Sequence, residues 1–135
     1  MPGVGNHRTR SDMKTPKGRS SVNMPALLTA FTLLCLFIWG GNQPEAVGLF
    51  VPPWDKLAHL AWFAVLSGLL RFGLGSRSVG WLALLCVSVA VWDEWRQLAL
   101  PGRSAGLDDL LFDVLGIAVG IMIGSRVNID RHSRR

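Results

Sequence analysis

The sequence is poor in the residues on which most enzymes and secreted domains depend. Its 135 residues include nine acidic side chains, two cysteines and no tyrosine. Both cysteines, Cys35 and Cys86, lie inside apolar stretches, which argues against an extracellular disulfide framework. The chain also lacks a His-Glu-x-x-His zinc signature, a phosphate-cradling glycine loop and a Rossmann fingerprint. No serine or cysteine nucleophile stands beside a base, so the sequence shows no common catalytic motif.

Apolar sequence is what the chain has in abundance. Half of its residues are hydrophobic, which is too many for an ordinary soluble domain, and the chain is too short for two folded domains. Residues 1–23 hold five Lys or Arg side chains among Ser, Gly and Pro, and residues 125–135 hold four Arg. Such segments have too few large apolar side chains to build a core. We therefore expect one membrane domain over residues 24–124 between two basic tails, the first of them disordered.

Four apolar segments fill that domain, separated by charged or Gly/Pro/Asn-rich breaks. We predict helices at about residues 24–41, 55–74, 79–100 and 107–124. At a rise of ~1.5 Å per residue each helix runs roughly 27–33 Å, close to the ~30 Å thickness of a bilayer core. Backbone groups in lipid need internal hydrogen bonds, which favours helices over strands. The prediction is an all-α integral membrane bundle of four transmembrane helices. The third helix is the weakest span, because its apolar sequence is uninterrupted only over residues 79–92.

The basic residues predict how such a bundle is oriented. With four spans, eleven Lys and Arg residues fall on one side of the membrane and three, Lys56, Arg96 and Arg103, on the other. Because cytoplasmic loops carry the excess of Lys and Arg, both termini are expected in the cytoplasm. The predicted location is the cell membrane, which the chain crosses several times. A secretory signal peptide, made of the basic region and the apolar run over residues 26–39, is the alternative for the first segment, although no clear cleavage site follows it.

Three polar clusters interrupt the apolar sequence at the ends of the predicted helices, at residues 55–59, 93–97 and 103–113. A four-span topology places all three at the outer face. Ionisable groups at membrane depth are costly, and they persist where they face a bundle interior, a partner or a substrate path. We therefore predict that the clusters converge into one polar site. Its candidate residues are Asp55, Lys56, His59, Asp93, Glu94, Gln97, Arg103, Asp109 and Asp113.

The first two clusters also have purely structural interpretations. Asp55 and His59 lie one helical turn apart, so the carboxylate can orient the imidazole. Asp55 can equally cap the second helix, and a lone histidine is often a hydrogen-bonded core residue. Asp93 and Glu94 lie at a helix carboxyl end, where the helix dipole disfavours acids. They need partners from elsewhere, which are either a ligand or the basic side chains Arg96, Lys56 and Arg103.

The last cluster opens the fourth helix. Asp108 and Asp109 are explained by capping and by the helix dipole. Asp113 lies one turn deeper than Asp109 and has no such explanation. Nearly the same helix face continues with Gly116, Gly120 and Gly124. Because this small-xxx-small spacing lets another helix approach closely, we expect Asp109 and Asp113 to face the bundle interior.

Together these spacings resemble the signature of the VanZ-like family. The resemblance covers the last three spans and rests on Asp55-Lys-x-x-His59, Asp93-Glu-x-x-Gln97, Pro101-Gly-Arg103, and Asp109 followed by Gly116. It implies a small multi-helix membrane protein from a family named for a member associated with teicoplanin resistance, with no biochemical activity established at family level. Family members commonly have Asn at the position of Asp113. Here that residue is therefore either protonated or paired with Arg103, Lys56 or His59.

Three functions stay open at this point. The first is envelope-related binding or modulation, including glycopeptide tolerance. In it Lys56 and Arg103 meet an anionic headgroup or envelope precursor, while the acids and Gln97 accept hydrogen bonds from sugar or amine groups. The second is a metal-assisted membrane hydrolase or transferase built on His59 and nearby carboxylates. The third is a structural protein whose paired charges hold the bundle together while it docks to a larger membrane partner.

The sequence favours a binding protein over an enzyme, and it predicts no cofactor and assigns no metal ion. The expected partners are the lipid bilayer, an anionic precursor or headgroup, and a membrane protein or a second copy of the chain. Nucleic acid is not expected despite the net charge of +5, because the basic residues are divided between two tails without a basic-aromatic platform. Attraction of both tails to anionic lipid explains the charge more simply.

Overall fold

A computed structural model of the chain describes residues 22–43, 48, 51, 53–75, 79–102 and 106–133. Within these residues the fold consists of four helices and no strand: α1 (Met24–Gly41), α2 (Trp54–Leu74), α3 (Val79–Leu98) and α4 (Leu107–Ser133). The predicted all-α architecture of four helices is confirmed. Most of the predicted amino-terminal tail, residues 1–21, and the candidate site residue Arg103 lie outside the described residues.

Local sequence explains where the helices begin and end. The Asn23 side chain accepts a hydrogen bond of 3.2 Å from a backbone N–H in the first turn of α1. Pro25 also lies in this turn, where a missing N–H costs no helical hydrogen bond. α2 stops before Gly75, whose φ of 66° is a conformation that glycine adopts without strain. After α3, Pro101 and Gly102, with a φ of 78°, turn the chain toward α4.

Helices α2 and α4 run parallel and form the most extensive interhelical contact. Three glycines of α4 each lie against a backbone carbonyl of α2: Gly116 against Leu60, Gly120 against Ala64, and Gly124 against Gly68. A Cβ atom at any of these glycines would collide with the carbonyl oxygen, which at Gly124 would be only 2.7 Å away. The stripe of glycines therefore sets both the distance and the register between the two helices.

Helices α1 and α3 pack antiparallel to this pair. The Asn23 N–H donates a hydrogen bond of 2.9 Å to the Gly73 carbonyl, which joins the start of α1 to the end of α2. Nearer the other end of α1, Phe37 stacks on Trp62 with ring centroids 5.1 Å apart. The buried core lies where α2, α3 and α4 meet, and it consists of Phe63, Leu82, Cys86, Ala90, Ile117 and Ile121.

The outer surface of the bundle is apolar over much of its length. Large hydrophobic side chains such as Leu28, Phe31, Trp81 and Leu84 are more than half exposed. A soluble monomer rarely exposes so much contiguous apolar surface. Three helical segments are long and apolar enough to cross a bilayer: Met24–Gly41, Trp54–Leu74 and Leu107–Asp130. These properties are those of a membrane protein.

α3 is not among the three helices that qualify as spans by length and composition. It has 20 residues, and its last turns carry Asp93, Glu94 and Arg96. The apolar stretch that precedes these charges, residues 79–92, runs only ~21 Å at ~1.5 Å per residue, which is shorter than a bilayer core. α3 also ends at Leu98 rather than near residue 100.

α4 is longer than the sequence predicted, since it continues to Ser133 instead of ending near residue 124. The predicted carboxyl-terminal tail is therefore helical over most of its length. Hydrogen bonds to Arg71 of α2 hold this polar part of α4 in place: Arg71 Nε donates to Ser125 Oγ (2.8 Å), and Asn128 Nδ2 donates to the Arg71 carbonyl (2.9 Å). The hydropathy of the sequence alone gives no indication of such contacts between helices.

Candidate functional site

The described residues of the three polar clusters meet at one end of the bundle, where α2 and α4 begin and α3 ends. We call this region the polar end. Because α2 and α4 are parallel, their first turns lie side by side, and the antiparallel α3 brings its last turns to the same place. The polar end contains Asp55, Lys56, His59, Asp93, Glu94, Gln97, Asp109 and Asp113, together with Arg96 and Asp108.

The deepest polar contact joins α2 to α4. His59 Nδ1 lies 2.9 Å from Asp113 Oδ1, and the Asp113 side chain is fully buried. The imidazole also meets the edge of the Phe37 ring from α1, with centroids 6.2 Å apart. Asp113 therefore orients the imidazole, a role that the helical spacing suggested for Asp55. Asp55 and His59 share no hydrogen bond in the part of the chain that the structure describes.

Glu94 reaches the same place from α3. It is only 8% exposed, and its Oε2 accepts a hydrogen bond of 3.0 Å from the N–H of Gly106, just before α4. Glu94 Oε1 and Asp113 Oδ2 have no hydrogen-bond partner among the described residues. His59, Glu94 and Asp113 each offer one ligand atom, and these atoms lie within 4.8 Å of one another. We call these three side chains the inner cluster.

Nearer the surface, Lys56 of α2 bridges two acids at the start of α4. Its Nζ pairs with Asp108 and lies 3.2 Å from Asp109 Oδ1. The Asp109 side chain is 13% exposed, whereas that of Asp108 is 60% exposed. Acids are also favoured here by the positive ends of the two parallel helix dipoles. The charge of Lys56 is thus already matched by two carboxylates, and this pairing ties the first turns of α2 and α4 together.

A separate network ties α3 to the end of α1. The buried Asp93 pairs with Arg96, and its Oδ2 accepts a hydrogen bond of 2.7 Å from Gln97 Nε2. Arg96 Nη1 in turn donates to the Ile38 carbonyl (3.2 Å) and to the Asn42 side chain. Asp93 and Gln97 therefore have partners within the protein, which agrees with the charge-pairing interpretation of their cluster.

Two contributors to the polar end escaped the sequence reasoning. Asn42 caps α1 and accepts a hydrogen bond from Arg96, and a capping Asn after two glycines is a signal that could have identified it. Gly106 supplies an N–H to Glu94. No local pattern marks Gly106, because its role depends on how α3 packs against α4.

The polar end is acidic, and its charges are unevenly matched. The described residues supply six carboxyl groups, from Asp55, Asp93, Glu94, Asp108, Asp109 and Asp113, against two permanent cations, Lys56 and Arg96. Both cations are already paired with acids. The inner cluster is left with an imidazole and two buried carboxyl groups, which are acceptors for an amine, a hydroxyl group or a metal ion.

Comparison with known proteins places the chain in a family. Searches of curated proteins and of solved structures give no significant match to this chain. The family model described as VanZ/LLP1 matches residues 6–128. The matched region contains every candidate site residue and nearly all of the four helices. The resemblance predicted from the motif spacings is thereby confirmed, and the chain belongs to the VanZ/LLP1 family.

Proposed function

We propose that this protein crosses the cell membrane four times and binds an envelope lipid or lipid-linked precursor through the polar end, which faces outward. The observation that carries the proposal is the convergence of an imidazole, an amine and buried carboxyl groups at one end of apolar helices. Ionisable groups at membrane depth commonly mark a ligand or substrate path. Modulation of the envelope, including glycopeptide tolerance, is the cellular role that this binding would serve.

In this proposal α3 is the fourth span. Asp93 and Glu94 are both buried within the bundle, so the charges that shorten its apolar stretch do not face lipid. The cytoplasmic side then receives both termini and eleven of the fourteen Lys and Arg residues. The basic residues beyond the helices are attracted to the anionic inner leaflet.

Topology can be tested with accessibility tags. A tag inserted at Pro44 is expected to react with a membrane-impermeant reagent from outside intact cells, and a tag at Ser76 is expected to be protected until the membrane is opened. A tag after Arg135 serves as the control for the cytoplasmic side. Equal exposure of the Pro44 and Ser76 tags would refute the four-span arrangement.

In this proposal the donor groups and the anionic group of a headgroup meet different side chains. Its buried acids and His59 suit amine or hydroxyl donors of a headgroup or sugar. Because Lys56 already pairs with two acids, the proposal assigns the anionic group of the ligand to Arg103. A planar guanidinium suits phosphate or carboxylate well.

Binding can be measured on the full chain in phosphatidylcholine nanodiscs by native mass spectrometry. The probes are phosphatidylethanolamine, phosphatidylglycerol and a lipid-linked disaccharide-pentapeptide precursor. Arg103→Ala and Glu94→Gln are expected to weaken retention of the bound probe, whereas Asp130→Asn, at the exposed far end of α4, is expected to leave it unchanged. The same variants are then compared for teicoplanin susceptibility in expressing cells. Wild-type retention by both Arg103→Ala and Glu94→Gln would argue against this site.

A second candidate function is a metal-assisted hydrolase or transferase that acts on a lipid-linked substrate. It is supported by the approach of an imidazole and two carboxyl groups to within 4.8 Å, because an ion held there would activate water. Phosphate or pyrophosphate release from the lipid-linked precursor by the wild type, but not by His59→Ala, would favour the enzyme. Binding without product would favour the binding protein.

A third candidate is a structural role with docking to a larger membrane partner, which draws support from the pairing of Asp93 with Arg96. In that case replacing both members of the pair with apolar residues is expected to preserve cellular function. Loss of function in a paired variant that still folds would exclude a purely structural role.

A further inference from the structure

The inner cluster has more acceptor capacity than the protein itself fills. Asp113 is 0% exposed and Glu94 is 8% exposed, yet each keeps one carboxyl oxygen without a partner among the described residues. A buried polar atom without a hydrogen bond is costly, and each exception in a native fold calls for a physical explanation. The two unmatched oxygens belong to side chains that converge, with His59, on the same small volume.

We propose that the inner cluster binds a divalent transition-metal ion through His59, Glu94 and Asp113, and that Zn²⁺ is the preferred ion. Zn²⁺ accepts both imidazole nitrogen and carboxylate oxygen as ligands. Mg²⁺ and Ca²⁺ prefer shells made of oxygen, so the imidazole ligand disfavours them. Mn²⁺ tolerates the same mixed set but binds nitrogen and oxygen ligands more weakly than Zn²⁺ does, which makes it a useful comparison ion.

The positions of the three side chains fit such an ion after small adjustments. Tetrahedral Zn²⁺ with bonds of ~2.0–2.2 Å holds neighbouring ligand atoms ~3.3–3.6 Å apart. His59 Nδ1 and Asp113 Oδ1 are 2.9 Å apart, and the three ligand atoms lie within 4.8 Å. Small side-chain rotations that bring the three ligand atoms to this common spacing would complete the site.

The surroundings of the inner cluster already hold its ligands in place. The Gly106 N–H fixes one oxygen of Glu94 and leaves the other oxygen unmatched. Phe37 packs against the imidazole. Contacts of this kind, one layer outside the ligands, are typical of metal sites because they fix ligand orientation.

The ligands come from three different helices, so a bound ion would link the less apolar α3 to the parallel pair α2 and α4. Three protein ligands also leave a fourth position for water or for an oxygen of a bound molecule. The cation site goes beyond the proposed headgroup binding and stands without it. Metal binding and lipid binding are measured separately, so either can fail alone.

The test uses the full chain without a polyhistidine tag, purified in detergent and freed of metal with a chelator. Isothermal titration is expected to show one Zn²⁺ per chain, weaker Mn²⁺ binding and no saturable Mg²⁺ binding. Glu94→Gln and Asp113→Asn are each expected to lower the Zn²⁺ affinity by at least about tenfold, the lower end of the loss seen when groups supporting a metal site are removed. Asp108→Asn changes an exposed acid at the same end of the bundle and should retain wild-type affinity.

Unfolding experiments separate a metal ligand from a merely structural acid. Without metal, circular dichroism is expected to show that both amide variants fold, because each substitution removes a buried charge and keeps the side-chain shape. Zn²⁺ should raise the unfolding temperature of the wild type by clearly more than that of Glu94→Gln at the same Zn²⁺ concentration. Absence of saturable Zn²⁺ and Mn²⁺ binding to the wild type would overturn the proposal whether or not a variant folds. An equal loss of affinity in Asp108→Asn would overturn it too, since exposed acids would then account for the binding.

Discussion

Gly116→Ala tests whether backbone contact between α2 and α4 holds the polar end together. Gly116 lies one turn beyond Asp113 on α4. A Cβ at this position would collide with the Leu60 carbonyl oxygen and lie 3.1 Å from the Leu60 Cα and carbonyl carbon. Backbone atoms cannot rotate away as a flexible side chain does, so α2 and α4 must move apart. Leu60 directly follows His59, and the separation therefore also strains the contact between His59 and Asp113.

The magnitude follows from two opposing effects. Overpacking a close contact costs about 1–3 kcal/mol. Because the neighbour of Gly116 is the rigid backbone at Leu60, we expect a cost at the upper end of this range. Alanine is better than glycine in a helix interior by about 1 kcal/mol. The expected net loss in the free energy of unfolding is therefore about 2 kcal/mol.

Gly40→Ala is the matched control. Gly40 lies in the last turn of α1, and no described atom lies within 4 Å of a Cβ built there. This variant should gain at most about 1 kcal/mol from helix propensity. Both free energies can be obtained from denaturant unfolding in detergent followed by circular dichroism, with Zn²⁺ affinity as a second measurement on the same samples. Equal stability of the two variants would refute the claim that the glycine stripe sets the helix separation.

Three further variants test individual contacts with the same unfolding assay. Arg96→Ala leaves the buried Asp93 without its cation and should lower the free energy of unfolding by about 3 kcal/mol, the lower end for breaking a buried pair. Adding Asp93→Asn should recover part of this loss. Absence of any recovery would contradict the pairing. Ser67→Ala removes the hydroxyl that donates to the Phe63 carbonyl (2.7 Å) and lies 3.2 Å from the Ile117 carbonyl, and it should lower the free energy of unfolding by about 1 kcal/mol. Asp108→Asn removes an exposed partner of Lys56 and should leave the free energy of unfolding nearly unchanged; a clear loss of stability would mean that this pair contributes more than an exposed ion pair does.

The helices could be predicted from the sequence because the signals that define them are local. Apolar runs of suitable length, bounded by Asn, Pro and Gly, indicate where α1 and α2 begin and end. The far end of α4 could not be predicted in this way. Beyond Gly124 the sequence turns polar, and the helix continues because Ser125 and Asn128 bond to Arg71, which is distant in sequence.

The candidate site illustrates the same limit at the level of single side chains. Convergence of the polar clusters could be predicted from topology alone, since alternate helix ends must lie at the same side of an antiparallel bundle. The partner of His59 could be predicted only in part, because Asp113 was one of several alternatives. A spacing of four residues favoured Asp55, whereas the fold supplies Asp113, because the register between α2 and α4 is set by backbone packing at Gly116 and the glycines that follow. Helical spacing within one segment carries no information about that register.

The depth at which charges are matched constrains what the polar end can bind. At the surface, Lys56 already pairs with Asp108 and Asp109. The unmatched carboxyl oxygens of Glu94 and Asp113 lie deeper and are shielded from water. An anion that enters alone would meet carboxyl groups in a medium where like charges repel strongly.

An anionic headgroup therefore needs an accompanying cation or hydrogen-bond donor to occupy the inner cluster. A zwitterionic headgroup carries an amine that would meet the buried acids while its phosphate would stay nearer the surface. A metal ion held by His59, Glu94 and Asp113 would instead present its fourth coordination position to a phosphate oxygen. Both routes would bring positive charge to the same buried oxygens, and under the proposed function ligand recognition would therefore depend on the inner cluster rather than on the paired acids around Lys56.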